Sequence, residues 1–272
     1  MPKFGWLVVL TCLWVPAVIH ASAAATESPP TSFEYKTALA YSQDVIGKPL
    51  GEYQLTGLDG KAFSLTQLRG KPIVISLVFT SCYQICPMTT RHLAKVINKA
   101  RDALGHDSFS IVTIGFDTPV DDVAAMQHFA VQQGIENSDW KVFSVSAEDV
   151  AALTRDLGFV YFPSARGFDH ILQATVVDAD GIIYRQVYGQ AFETPQLVEP
   201  LKQLTLGHPQ PADTMLSTLF NKIRFFCTTY DPIRDKYYFD YSMFVGIFIG
   251  AAIIILMILW IIRESLRRKR AI

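Results

Sequence analysis

Ile73-Val74-Ile75-Ser76-Leu77-Val78-Phe79 runs straight into Thr80-Ser81-Cys82-Tyr83-Gln84-Ile85-Cys86-Pro87, and the reading of this junction decides the fold. The nearly continuous apolar run from Pro72 to Phe79 fits a strand buried on both faces. From Pro87 to Ala103 and just beyond, Leu93, Val96, Ile97, Ala100 and Leu104 recur at helical spacing. The two cysteines therefore stand where a buried strand feeds a helix N-terminus. If both fall in the first helical turns, their i, i+4 spacing puts both sulfurs on one face. The positive end of the helix dipole there favours the thiolate. Two such sulfurs can hold a thiophilic metal or cycle between dithiol and disulfide.

Working outward, Tyr53–Thr56 and Lys61–Leu65 flank Leu58-Asp59-Gly60, a hairpin pattern. After the cysteine helix come a buried strand at Phe109–Phe116, a helix at Val120–Gln133, a strand at Lys141–Val145 and a helix at Ala147–Leu157. Leu172–Asp178 and Ile182–Tyr188 flank Ala179-Asp180-Gly181, a second hairpin, and a last helix runs from Thr194 to Leu206. This order calls for a mixed α/β sheet flanked by helices. A buried strand delivering a cysteine pair to a helix, closed by a β-β-α unit, is the thioredoxin-like arrangement, here extended by an N-terminal β-hairpin.

Both ends of the chain carry targeting patterns. Lys3, an apolar stretch from Trp6 to Ile19 and the small residues Ala21–Ala25 read as a signal peptide over residues 1–23, which would remove Cys12. Residues 24–44, polar and small with Pro29-Pro30, read as a linker, and 45–206 as the globular domain. Residues 207–242 form a juxtamembrane segment, in which Asp213–Phe226 has an apolar side fit for a surface helix. Met243–Ile262 is about twenty uncharged residues, enough for one transmembrane helix. Arg263, Arg267, Arg268, Lys269 and Arg270 then place the tail, 263–272, in the cytoplasm. The expected location is a bacterial inner membrane, single-pass, with the globular part in the periplasm. That exported part holds 18 basic against 24 acidic residues, which argues against nucleic acid as a partner.

Without Cys12 the chain keeps Cys82, Cys86 and Cys227. Three cysteines are too few for a disulfide scaffold, and a domain of this size needs none. The pair is there for chemistry. Among the exported histidines, His92 points away from the sulfurs by periodicity, His106 and His128 sit among polar residues, and His208 lies in the linker after the last helix. His170 differs, because it follows Gly167-Phe168-Asp169 and stands immediately before the strand that begins at Ile171. Periodicity alone does not make it a ligand. Two thiolates and an imidazole would suit copper as Cu(I) or Cu(II), whereas zinc more often closes four ligands.

Thr80-Ser81-Cys82-x-x-x-Cys86-Pro87, with Asp169-His170 ahead of a late strand, resembles the Sco/SenC family, and Asp117-x-x-x-Asp121 resembles its acidic loop. The resemblance covers residues 45–206. It implies a thioredoxin-like copper-binding domain that helps assemble the CuA centre of cytochrome c oxidase, with Cys82, Cys86 and His170 as ligands. The implied partners are cytochrome c oxidase subunit II or a similar copper acceptor, and other periplasmic copper carriers. Thr118 and Asp122 depart from the family's usual proline and threonine, and the anchor is C-terminal where most relatives have an N-terminal one. A rival reading is a thiol-disulfide oxidoreductase that reduces the acceptor's cysteines, for which Cys82 and Cys86 suffice. A peroxiredoxin-like peroxidase fits less well, since Thr80 is misplaced for the usual spacing.

Overall fold

The structure is a computed structural model, and it describes residues 30, 32–136, 139–207, 228–232, 234–239 and 241–270. The expected signal peptide, the apolar segment 213–226, His208 and Cys227 lie outside these residues.

The run at 73–78 forms β3 (Ile73–Val78), buried at every position as its apolar composition requires. It pairs in parallel with β4 (Ser110–Gly115), equally buried, and β4 pairs in parallel with β5 (Trp140–Val145). The crossovers are helices α2 (Ile85–Leu104) and α3 (Val123–Gln133). On the far side of β3 lie the antiparallel strands β8 (Gln173–Val177) and β9 (Ile183–Tyr188), followed by α5 (Thr194–Gly207). The hairpin β1 (Gln54–Gly57) and β2 (Ala62–Ser64) adds to the β5 edge. The seven-stranded order is β2-β1-β5-β4-β3-β8-β9, a thioredoxin-like mixed sheet with an N-terminal hairpin and flanking helices. Val96, Ile97 and Ala100 of α2 and Leu197 and Leu201 of α5 join the strands in one core.

Helix α4 (Val150–Asp156) packs after β5. Asp122 caps α3, its carboxylate accepting from Ala125 N–H at 2.8 Å, and Gly134 ends that helix in the left-handed region.

Three elements depart from the sequence expectation. Within the expected linker, residues 35–44 form helix α1 (Tyr35–Asp44), with Ala38, Tyr41 and Ser42 buried. Ser42 Oγ donates to Gln173 and accepts from Tyr188, so this helix belongs to the domain. A second sheet, β6 (Tyr161–Ser164) with β7 (Gly167–His170), occupies what reads as loop. Before the C-terminal apolar helix, β10 (Thr228–Asp231) and β11 (Lys236–Phe239) form another hairpin. Helix α6 (Ser242–Arg270) follows; its stretch Phe244–Arg263 is long and apolar enough to cross a membrane, and none of it is buried by the rest of the protein.

Candidate metal and thiol site

Helix α2 begins at Ile85, so only Cys86 is helical and Cys82 lies in the loop before it. The expectation that i, i+4 helical spacing aligns the sulfurs is corrected here. They meet because the loop folds back over the helix N-terminus. Gln84, at the N-cap position, makes no side-chain cap, and Cys82 Sγ takes that role, accepting from Cys86 N–H at 3.2 Å. The Cys86 thiol also donates to the Cys82 sulfur, and with the N–H groups of Cys86, Gln84 and Ile85 it holds the Cys82 pKa down at about 5 against the effect of burial. Cys86 goes the other way, because its proton is shared with Cys82 and its side chain is buried. Both cysteines are free of a disulfide. At neutral pH the pair is one accessible thiolate and one buried thiol.

His170 ends β7 rather than leading directly into β8, which starts two residues beyond Ile171. Its Nδ1 lies 2.9 Å from the carbonyl oxygen of Ile171. A carbonyl only accepts, so Nδ1 carries the proton and Nε2 keeps its lone pair. The ring packs against Phe79, Phe116 and Phe159 with centroids 5.9, 5.9 and 5.2 Å away. This burial lowers its pKa, outweighing the Ile171 hydrogen bond and the nearby Cys82 charge, so the imidazole is neutral. Gly167 lets the hairpin sit there. Its φ is +106°, and a Cβ would lie 2.7 Å from Phe79 Cε2.

Cys82 and His170 line one cleft of about 410 Å³ with Tyr83, Ile85, Phe168 and Asp169. The fold thus brings Cys82 and Cys86 together and sets His170 across the same cleft. Among the described residues no three His, Cys, Asp or Glu side chains stand close enough to hold a metal ion. The other described histidines are elsewhere. His92 Nε2 is 2.8 Å from Phe192 O, and His106 and His128 are exposed.

The Asp117-x-x-x-Asp121 pattern of the sequence gains a role here. Asp121, 1% exposed, accepts from Thr80 N–H at 2.8 Å, Thr80 Oγ1 at 2.7 Å and Asp117 N–H at 2.9 Å. It ties the start of the cysteine loop to the loop after β4. Burial raises its pKa, and the three donors oppose that rise. Gly115 makes room for it, since a Cβ there would lie 2.6 Å from Asp121 Cβ. Asp117 turns the chain, its carbonyl accepting from Val120 and Asp121 N–H.

The SCO1/SenC family model matches residues 45–206. A mouse mitochondrial SCO2 homologue is 24% identical over 172 residues, covering 60% of this chain and 64% of that protein, so the chain spans less than two thirds of its length. A structure from Aquifex aeolicus, described as a candidate electron transfer protein, is 28% identical with a TM-score of 0.55, covering 62% of this chain and 98% of that one. Arabidopsis thaliana ScoI, solved with copper bound, is 21% identical with a TM-score of 0.50 over 56% of this chain and 98% of that one, a likeness of fold. The cysteine-bearing strand-to-helix junction and the late histidine fall inside the matched region, and the chain belongs to the SCO1/SenC family.

Proposed function

We propose that this chain is a membrane-anchored copper carrier that serves the assembly of the CuA centre of cytochrome c oxidase, with Cys82, Cys86 and His170 as the copper ligands. The observation that carries the reading is the shared cleft, into which a thiolate and a neutral imidazole with a free Nε2 both open. Family membership supports it, as does the copper-bound Arabidopsis relative of the same fold. Copper is cargo here. Cys82 is already charged to receive it, Cys86 adds its sulfur on losing a proton, and His170 closes the set from β7. A three-donor site leaves a position for the acceptor's incoming ligand. Helix α6 is the anchor, the basic residues at its C-terminal end face the cytoplasm, residues 1–23 direct export, and the domain stands in the periplasm.

A second reading rests on the split between the two sulfurs, one a thiolate and one a buried thiol. In a reductase, Cys82 attacks the acceptor's disulfide and releases one acceptor thiolate. Cys86 then loses its proton, attacks the Cys82 sulfur and releases the second thiolate, leaving Cys82 and Cys86 as the disulfide. The experiment is transfer. The full chain in detergent, loaded with copper, is mixed with the reduced, metal-free CuA domain of the host's oxidase. The carrier reading expects the CuA absorption to develop at the carrier's expense. An acceptor that stays metal-free, yet is reduced when supplied as its disulfide, supports the reductase instead.

A further inference from the structure

The hairpin that carries His170 is a sheet of two strands, and the outer edge of β7 is left unpaired. Strands β6 and β7 pair Ser164 with Gly167, Pro163 with Phe168, Phe162 with Asp169 and Tyr161 with His170. The loop of Ala165 and Arg166 is two residues long, so Ser164 and Gly167 form the hydrogen-bonded closing pair. Antiparallel pairs alternate, which makes Phe162 with Asp169 the next bonded pair and leaves the other two unbonded. Pro163, with no N–H to give, sits in an unbonded pair as it must. The backbone N–H and C=O groups of Phe168 and His170 therefore project from the outer edge of β7. They make no hydrogen bond among the described residues.

This edge borders the thiol cleft. Phe168, Asp169 and His170 line it, and no residue of β6 does. The same cleft is lined by the cysteine loop and the first residue of α2, where Tyr83 is 93% exposed and Ile85 44% exposed. A volume of about 410 Å³ is far more than a metal ion needs. An unpaired strand edge beside exposed apolar side chains is the chemistry that recognises an extended peptide, with backbone pairing for affinity and alternate side chains for selectivity.

We propose that the free edge of β7 docks an extended strand of the copper acceptor, which adds to the β6–β7 sheet and lies across the cleft. Side chains from one face of that strand reach Cys82, and those beside them rest on Tyr83 and Ile85. The same strand that carries His170 thus aligns the incoming ligands. The inference rests on the carrier reading above, because it names what that reading's acceptor touches.

Hydrogen exchange resolved to single residues tests it. The full chain in detergent, reduced and metal-free, is compared alone and with the reduced, metal-free CuA domain of the host's oxidase. The expected result is that the Phe168 and His170 amides slow by about tenfold or more on binding, while Asp169, already paired with Phe162, hardly changes. Tyr83→Ser should weaken the complex without altering exchange in the free chain. Binding with unchanged exchange at Phe168 and His170 overturns the strand model even if copper is transferred. Protection that appears in the chain alone and rises with its concentration assigns the edge to a second copy and overturns the choice of partner. Absence of any complex, together with failed copper transfer, rejects the carrier reading itself.

Discussion

The two sulfurs share one proton unequally, and that asymmetry sets how the site responds to pH. Cys82 has its pKa held at about 5, so it stays charged from that pH upward, whereas Cys86 keeps its proton at neutrality. His170 is neutral, its pKa lowered by burial. Binding Cu(I) at pH 7 should therefore release about one proton, from Cys86, read by calorimetry in buffers of different ionisation enthalpy. About two would mean that Cys82 is protonated in the free chain. As pH falls through about 5, Cys82 gains a proton and copper capture should weaken. Asp121 acts at the same scale by holding Thr80. Asp121→Ala strands three N–H or O–H donors, two of them from Thr80, and should cost about 2 kcal/mol or more in urea unfolding. A loss below about 0.5 kcal/mol would show that the loop does not depend on this tie. Cys82, Cys86 and His170 stand out in the sequence through residue type and position relative to strands. Asp121 appears there only within the Asp117-x-x-x-Asp121 pattern, and its tie to Thr80 is not legible, because Thr80 lies 41 positions away and only the fold brings them together.

At the scale of elements, the strand-to-helix junction was legible because β3 is apolar throughout and α2 repeats its apolar residues at helical spacing. Helix α1 was not, since its buried side is no more than Ala38, Tyr41 and Ser42 and its periodicity is correspondingly weak. The β6–β7 hairpin hides behind Pro163 and Gly167, which read as loop residues until the packing of Gly167 on Phe79 is seen. The hairpin β10–β11 is tied to the domain by Tyr237, packed on the core, and by Asp235. The Asp235 carboxylate pairs with Lys99 of α2 and accepts from Thr194 Oγ1 at 2.8 Å and Tyr230 OH at 2.9 Å. Tyr237 OH adds a bond to Glu199 of α5 at 3.1 Å. Lys99 and these hydroxyls hold the Asp235 pKa at about 2, below its ordinary 3.8. The contribution is therefore complete above the ordinary value and is lost as pH falls through about 2. Asp235→Asn keeps a residue tolerant of the positive φ of 48° but removes the charge. It should speed amide exchange across residues 228–239 while leaving β3 unchanged. Unaltered exchange in the hairpin would mean that the carboxylate does not hold it.

For the whole molecule, a helix long and apolar enough to cross a membrane follows a hairpin that contacts the domain, whose thiol cleft lies at the N-terminal end of α2. Lys99, where the hairpin docks, lies 13 positions along α2 from Cys86, about 20 Å at the helical rise. The hairpin contact and the cysteine pair are thus at different places along one helix. The central claim is that Cys82, Cys86 and His170 together bind copper, with the histidine indispensable to that and dispensable to thiol exchange. The direct measurement is the absorption spectrum and affinity on adding Cu(II) to the reduced full chain in detergent, for the unaltered protein and for His170→Ala. Sulfur-to-copper charge-transfer bands are expected in the unaltered protein, and loss of tight binding in the variant with disulfide exchange largely intact. Equal Cu(II) affinity in the two proteins, or no such bands in either, would contradict the claim.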